Sequence, residues 1–190
     1  MIKRIFDIVL SGFLLIILAP LFVIIALCIK LDDGKNVFYY QTRCTRGMKE
    51  FQIIKFRSMI VGAEKIAGVQ LAENRDSRMT RVGYILRKYK LDELPQLINI
   101  FKGEMSFVGP RPERPELIEE ISEKVPEFTF RTTVRAGLTG YAQVHGDYHT
   151  EFLDKLKWDL MYIENFSLML DLKILLMIIP VVLGGTDDVK

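Results

Sequence analysis

The sequence predicts an α+β protein, mostly helical, held to a membrane surface by its amino-terminal segment. Three observations lead there. Residues 5–29 carry a single charge, Asp7, while the rest of the 190-residue chain is charge-rich. "NVFYYQTR" and "EFQIIKFRSM" are aromatic and β-branched runs around a turn, which reads as one small β-hairpin. The later apolar patterns have mostly helical spacing, punctuated by Gly and Pro. The length suits one domain with its own core, and no repeat or linker divides it.

The amino-terminal run exceeds the h-region of a secretory signal, and no small-residue cleavage site follows it. In "IALC", Leu27 stands where a lipoprotein box needs a small residue. A soluble helix this apolar would need burial on every side, more than the remaining chain could supply. About 20 apolar residues cross a bilayer, so length permits a span. Pro20 removes a helix hydrogen bond mid-run and bends the axis. Lys3 and Arg4 flank one end; Lys30, Lys35, Arg43 and Arg46 flank the other. Basic residues favour the cytoplasmic side, so both ends belong there. A helix over residues 1–30, bent at Ala19-Pro20, that enters and leaves one leaflet satisfies this better than a straight span. Residues 1–57 hold nine Lys/Arg against four acids, a local excess that suits anionic lipid. The whole-chain charge of +2 gives no sign of a nucleic-acid partner. Cys28 and Cys44 make no disulfide framework, which fits a reducing compartment.

The remaining elements follow in order. Hairpin strands at 36–43 and 50–59 flank "CTRGMK". Residues 63–79 read as a charged loop and 81–90 as a short amphipathic helix. A helix starts near Leu91 in "DELPQLINIFKG" and stops at Gly103. "SFVGPRPERPE", 106–116, is a turn with three prolines that leads into the helix "ELIEEISEKV". Residues 133–147 form a glycine-rich loop, and 151–166 an amphipathic helix. The tail "SLMLDLKILLMIIPVVLGG" is interrupted by Asp171, Lys173 and Pro180, so it lies at the membrane interface.

The chemistry concentrates in "LDELPQL". Asp92 reads as an N-cap, with Glu93 and Pro95 in the first helical turn. Free N–H groups and the helix dipole then favour anions there. Helix capping alone accounts for such a pair; two neighbouring carboxylates also suit a hard cation such as Mg²⁺. Arg111 stands between Pro110 and Pro112, whose fixed φ stiffens the turn, and its planar fork suits phosphate oxygens. Lys55 and Arg57 alternate on a strand and share a face. Arg87 precedes Asp92 by five residues. Each of these basic side chains would also be unremarkable on a solvated surface. No phosphate-binding glycine motif of the Walker or dinucleotide type is present. The string His145-x-Asp147-x-His149 has transition-metal ligand types but no fourth ligand in view.

Taken together, "KRIFDIVLS", "YYQTR", "IIKFRSM", "LRKYKLDELPQLINIFKGEMSFVGPRPERPE", "AGLTGYAQVHG" and "WDLMYIENFSLMLDLKILL" resemble the small monotopic phosphoglycosyl transferases over nearly the whole chain. The resemblance implies transfer of a sugar-1-phosphate from a UDP-sugar to polyprenol phosphate, giving polyprenol-diphosphate-sugar and UMP. It implies a Mg²⁺ cofactor and a ping-pong route, with Asp92 as nucleophile and Glu93 beside it on the metal. Arg111 would hold phosphate; Lys55, Arg57, Arg87 and Gln143 complete the substrate-binding set. It also implies a re-entrant helix over 1–30 and a cytosol-facing catalytic unit over 31–190, at the cytoplasmic face of a bacterial inner membrane. The partners expected are UDP-sugar, polyprenol phosphate and inner-membrane lipids; a homodimer is left open. "PERPE" is more similar to exopolysaccharide-priming members. Ala19-Pro20 replaces the family's usual Ser-Pro, Ala136-Gly137 and Gly140-Tyr141 replace Pro-Gly and Gly-Trp, and His145 stands where Asn is common. Two alternatives are a Mg²⁺-dependent hydrolase of nucleotide diphosphates and a membrane-surface scaffold without catalysis.

Overall fold

The computed structural model describes residues 2–63, 76–146 and 151–183. The architecture is α+β and mostly helical, with two small two-stranded sheets among the described residues. Helix α1 (Ile2–Ile17) and helix α2 (Ala19–Asp33) meet at Leu18 with a bend of 60°. Pro20 sits in the first turn of α2, where its missing N–H costs no ladder bond. Gly34 ends α2 in a left-handed cap (φ 72°) and donates to the Lys30 carbonyl. No single described helix is long and apolar enough to cross a membrane; α1 and α2 together pass that test as a bent pair.

Strands β1 (Phe38–Cys44) and β2 (Glu50–Phe56) pair antiparallel from Phe38 opposite Phe56 to Cys44 opposite Glu50. This is the predicted hairpin, with a short 3-10 turn at Arg46–Met48. Helix α3 (Arg81–Lys88) is capped by Thr80, whose hydroxyl accepts the Gly83 N–H. Helix α4 (Gln96–Lys102) ends at Gly103 (φ 91°). Helix α5 (Pro115–Lys124), a 3-10 stretch (Pro126–Thr133), and helices α6 (Tyr141–His145), α7 (Phe152–Glu164) and α8 (Leu168–Leu183) follow. Pro180 lies inside α8.

One sheet was not anticipated. Strands β3 (Ser106–Val108) and β4 (Gly137–Thr139) pair parallel, inside what reads as a proline turn and a glycine-rich loop. Three-residue strands are too short to show a period of two. Their glycines make the pairing: a Cβ on Gly137 would fall 2.2 Å from the Gly109 nitrogen.

The main core packs Phe51 and Ile53 of β2 with Leu97 and Ile100 of α4, Phe107 and Val108 of β3, Tyr162 of α7 and Ile174 of α8. A second cluster joins Cys44, Ile118, Ile121, Phe128 and Leu156. A third joins Ile25 and Ile29 of α2 to Phe56 and Leu86.

On α1 the polarity is inverted. Asp7 and Ser11 are fully buried, whereas Val9 and Ile16 are 64% and 78% exposed. Asp7 Oδ1 accepts from the Ser106 hydroxyl (3.1 Å) and the Phe107 N–H (3.2 Å). Lys3 pairs with Asp171 of α8, which also accepts from the Tyr162 hydroxyl at 2.7 Å. Asp171, which in sequence only breaks the apolar tail, therefore faces inward.

Candidate active site

Asp92 and Glu93 lie in a 3-10 turn, Leu91–Glu93, opened by Lys90 in a left-handed conformation (φ 55°). A non-glycine residue there is uncommon and marks a constrained turn. The expected N-cap does not form. Helix α4 begins at Gln96, and the Asp92 carboxylate has no hydrogen-bond partner among the described residues. Pro95 is the reason. An N-cap side chain accepts the N–H of the second or third residue after it. The third is Pro95, which has none; the second, Leu94, donates to the Leu91 carbonyl. Capping therefore fails as the explanation of the acidic pair.

Several side chains position α4. Asn99 is fully buried: its Oδ1 accepts the Ile54 N–H (3.0 Å), and its Nδ2 donates to the Gln52 carbonyl (2.8 Å) and the Glu104 carboxylate (2.7 Å). It thus docks α4 on β2. Arg4 of α1 donates to the carbonyls of Ile100 (2.6 Å) and Phe101 (2.8 Å) in the last turn of α4.

Lys55, on β2, donates to Glu93 Oε1 at 2.7 Å. Arg111 donates to the same oxygen, also at 2.7 Å. Burial pushes the Glu93 carboxyl up, but Arg111 and Lys55 outweigh it and hold it well below the usual carboxylate range. Burial pushes the Asp92 carboxyl above its ordinary value; Lys55, Arg87 and Lys90 oppose this and Glu93 adds to it. Adjacent carboxylates are thus driven apart: one is fixed, ionised and paired, the other has no hydrogen bond among the described residues.

The Pro-Arg-Pro turn is clamped from several sides. Gly137 donates to the Pro110 carbonyl (2.9 Å), and Gly109 to the Thr139 carbonyl (2.9 Å). Arg131 donates to the Arg111 carbonyl (3.0 Å) and Arg43 to the Pro112 carbonyl (3.1 Å). Arg131 is buried and is itself held by buried Asp159 through contacts of 3.1 and 2.7 Å. Arg111, 45% exposed at its side chain, is thereby fixed at its backbone and open at its tip.

The structure brings Asp92, Glu93, Lys55 and Arg111 together, with the charge of Arg87 acting on Asp92. It does not bring Arg57. Arg57 lies one residue past β2, is 6% exposed, and donates to Asp33 (2.7 and 2.5 Å) and to the carbonyls of Asn36 and Met59. A buried guanidinium takes a carboxylate within reach, so Arg57 fastens the end of α2 to the hairpin instead. Gln143 sits beside the end of β4, its Nε2 donating to the Leu138 carbonyl and its Oε1 buried without a partner. His145 stacks on Trp158 (centroids 4.8 Å apart). Asp147 and His149 lie outside the described residues, and no cluster of three metal-ligating side chains occurs among the described ones.

Residues 1–185 match the profile of a family described as bacterial sugar transferase. The chain belongs to the bacterial sugar transferase family. It is 40% identical over 187 residues to a UDP-N-acetylgalactosamine-undecaprenyl-phosphate N-acetylgalactosaminephosphotransferase of Aeromonas hydrophila, a match that covers 97% of this chain and 44% of that one. It is 41% identical over 191 residues to a UDP-glucose:undecaprenyl-phosphate glucose-1-phosphate transferase of Caulobacter vibrioides, covering 98% and 71%. It is 40% identical over 184 residues to an exopolysaccharide production protein of Rhizobium leguminosarum bv. phaseoli, covering 91% and 90%. The chain thus spans less than half the length of the Aeromonas relative.

In this member of the family, Asn99, Arg131 and Asp159 escaped the sequence reading. None carries a local signal. Each is polar and buried only because a partner far along the chain meets it, 28 residues away for Arg131 and Asp159.

Proposed function

We propose that this chain transfers a sugar-1-phosphate from a UDP-sugar to polyprenol phosphate, releasing UMP, as the first step of surface-glycan assembly. The observation that carries the reading is the buried Asp92 carboxylate, without a hydrogen bond among the described residues, beside a Glu93 locked by Lys55 and Arg111. The relatives' names support the substrate classes.

In the first half-reaction an Asp92 oxygen attacks the sugar-bearing phosphorus. The bond from that phosphorus to the bridging oxygen breaks, and UMP leaves with the electron pair. The product is a phosphosugar ester on Asp92, an acyl phosphate, so the reactive bond is preserved. In the second, an oxygen of polyprenol phosphate attacks the same phosphorus and Asp92 leaves as a carboxylate. Arg111, fixed at its carbonyl, presents its fork to the phosphate oxygens. Lys55 and Arg87 add positive potential where two anions must meet.

The donor set fits Mg²⁺. Asp92 and the Glu93 Oε2 have no hydrogen-bond partner among the described residues, and Mg²⁺ takes one or two carboxylates with substrate phosphate and water. Asp92 and Glu93 would hold the ion, which when bound supplies charge neutralisation at the diphosphate.

Residues 1–30 enter and leave one leaflet at the cytoplasmic face of the bacterial inner membrane, and residues 31–190 form the catalytic unit on it. The inverted polarity of α1 and the 60° bend support this. Intact-protein mass after incubation with UDP-sugar and Mg²⁺ tests the chemistry. A hexose-phosphate adduct that polyprenol phosphate discharges is expected, and none is expected from Asp92→Asn. An Asp92→Asn protein with undiminished UMP release refutes the nucleophile. Continuous UMP release without lipid acceptor would mean a hydrolase, and no release would mean a scaffold.

A further inference from the structure

Five buried side-chain atoms have no hydrogen-bond partner among the described residues: Asp7 Oδ2, Gln96 Nε2, Ser122 Oγ, Thr139 Oγ1 and Gln143 Oε1. Gln96 Nε2 alone among them is a nitrogen, with N–H bonds that can only be donated. The residue is 2% exposed. A buried donor left unmade is destabilising, so its persistence asks for an acceptor that arrives later. Gln96 opens α4, three residues after Glu93 and four after Asp92, and the backbone of Leu94 and Pro95 between them is right-handed helical. Residues three and four apart on such a path lie on neighbouring parts of one face. The side chain is thus one turn beyond both carboxylates.

We propose that Gln96 is a further substrate-binding residue, whose amide donates to a non-bridging phosphoryl oxygen of the sugar phosphate that Asp92 takes up. The inference rests on the transfer reading above. Neither Gln96 Nε2 nor the Asp92 carboxylate has a hydrogen-bond partner among the described residues, although a single turn separates them. The missing acceptor belongs to the incoming group. A neutral amide suits this place better than a lysine, which would pair with Asp92 as Lys55 pairs with Glu93 and blunt its attack. No bond to carbon or phosphorus forms at Gln96; it supplies a preorganised N–H where the phosphoryl group gathers charge.

The test replaces the amide with apolar side chains of near-equal size, Gln96→Met and Gln96→Leu, in the full chain in detergent. Two readouts are taken: thermal midpoint without substrate, and single-turnover UMP release from UDP-sugar without lipid acceptor. The expected result is a midpoint equal to or above that of the unmodified chain, with the burst rate lowered at least about 10-fold and up to the 10²–10³ typical of one lost donor. Two variants of different shape guard against one that does not fold. A burst at the unmodified rate in either overturns the proposal. So does a fall in midpoint by several degrees in both, since that assigns Gln96 to the fold. Absence of a burst from the unmodified chain itself would instead remove the transfer reading.

Discussion

Arg131 offers the sharpest separation of fold from site. It donates to the Arg111 carbonyl and is paired with Asp159, which is 1% exposed. Arg131→Met removes one partner and leaves a buried carboxylate alone, a change that costs about 3–5 kcal/mol. Burial already pushes the Asp159 carboxyl up with Arg131 beside it. Once freed it takes a proton, which places the loss toward the lower end of that range. For a chain of this size roughly 2–4 °C accompanies each kcal/mol, so a loss of about 3 kcal/mol lowers the thermal midpoint by about 6–12 °C.

The double variant Arg131→Met/Asp159→Leu removes both charges. Replacing a whole buried pair by apolar side chains is often near neutral, so the midpoint returns to within a few degrees. The Arg111 carbonyl still lacks its donor, although Gly109, Gly137 and Arg43 keep their bonds around the Pro-Arg-Pro turn. A displacement of the order of 1 Å at a positioned group can cost about 10²-fold in rate. Thermal unfolding and UMP release on one preparation read the two effects. A double variant that recovers both midpoint and rate would show that Arg131 serves the core alone.

Two further outcomes follow from the charge pattern. Glu93→Gln leaves Lys55 and Arg111 without their shared anion, and UMP release falls by roughly 10²-fold as Arg111 swings into solvent; a rate near that of the unmodified chain would show that the clamp is incidental. The Asp33 carboxyl is held below its ordinary value, mainly by the hydrogen bond from Arg57. Its stabilising share is present above the ordinary carboxylate value of about 3.9 and is lost as pH falls through the lower folded value. Midpoints of Asp33→Asn measured from neutral pH into acid will therefore decline less steeply than those of the unmodified chain; parallel declines would dismiss the pair.

The hairpin, the helices over 81–88, 115–124 and 152–164, and the break near Pro20 were legible because each has a local cause: β-branched runs, helical spacing of apolar residues, a missing N–H. Asp92, Glu93 and Arg111, singled out as one acidic pair and one proline-braced arginine, lie together in the structure. What escaped was set by distance. Asn99 reads as an ordinary helix residue until Gln52 and Ile54 meet it. Arg57 has the same alternation as Lys55, and only the proximity of Asp33 decides that it is structural. The β3–β4 pair depends on backbones that touch at Gly109 and Gly137, a contact that two short strands do not announce. Asp92 failed as a cap for a reason that was present in the sequence all along, the proline three residues later.

The amino-terminal helix is joined to the site too closely to be a passive anchor. Within five residues Lys3 meets Asp171, Arg4 meets the end of α4, and Asp7 meets the start of β3. Helix α4 carries on from the acidic pair, and β3 leads into the Pro-Arg-Pro turn, so α1 grips both halves of the site at once. On the proposed reading this fixes the depth at which Asp92 meets lipid phosphate. An unrelated apolar helix of equal length in place of residues 1–30 would then keep the chain on membranes but lose UMP release. Restoring Lys3, Arg4 and Asp7 at their positions in that foreign helix would return part of it. Membrane fractionation and UMP release on both chimaeras measure this. A foreign helix that supports the full rate without those three residues would reduce α1 to a tether.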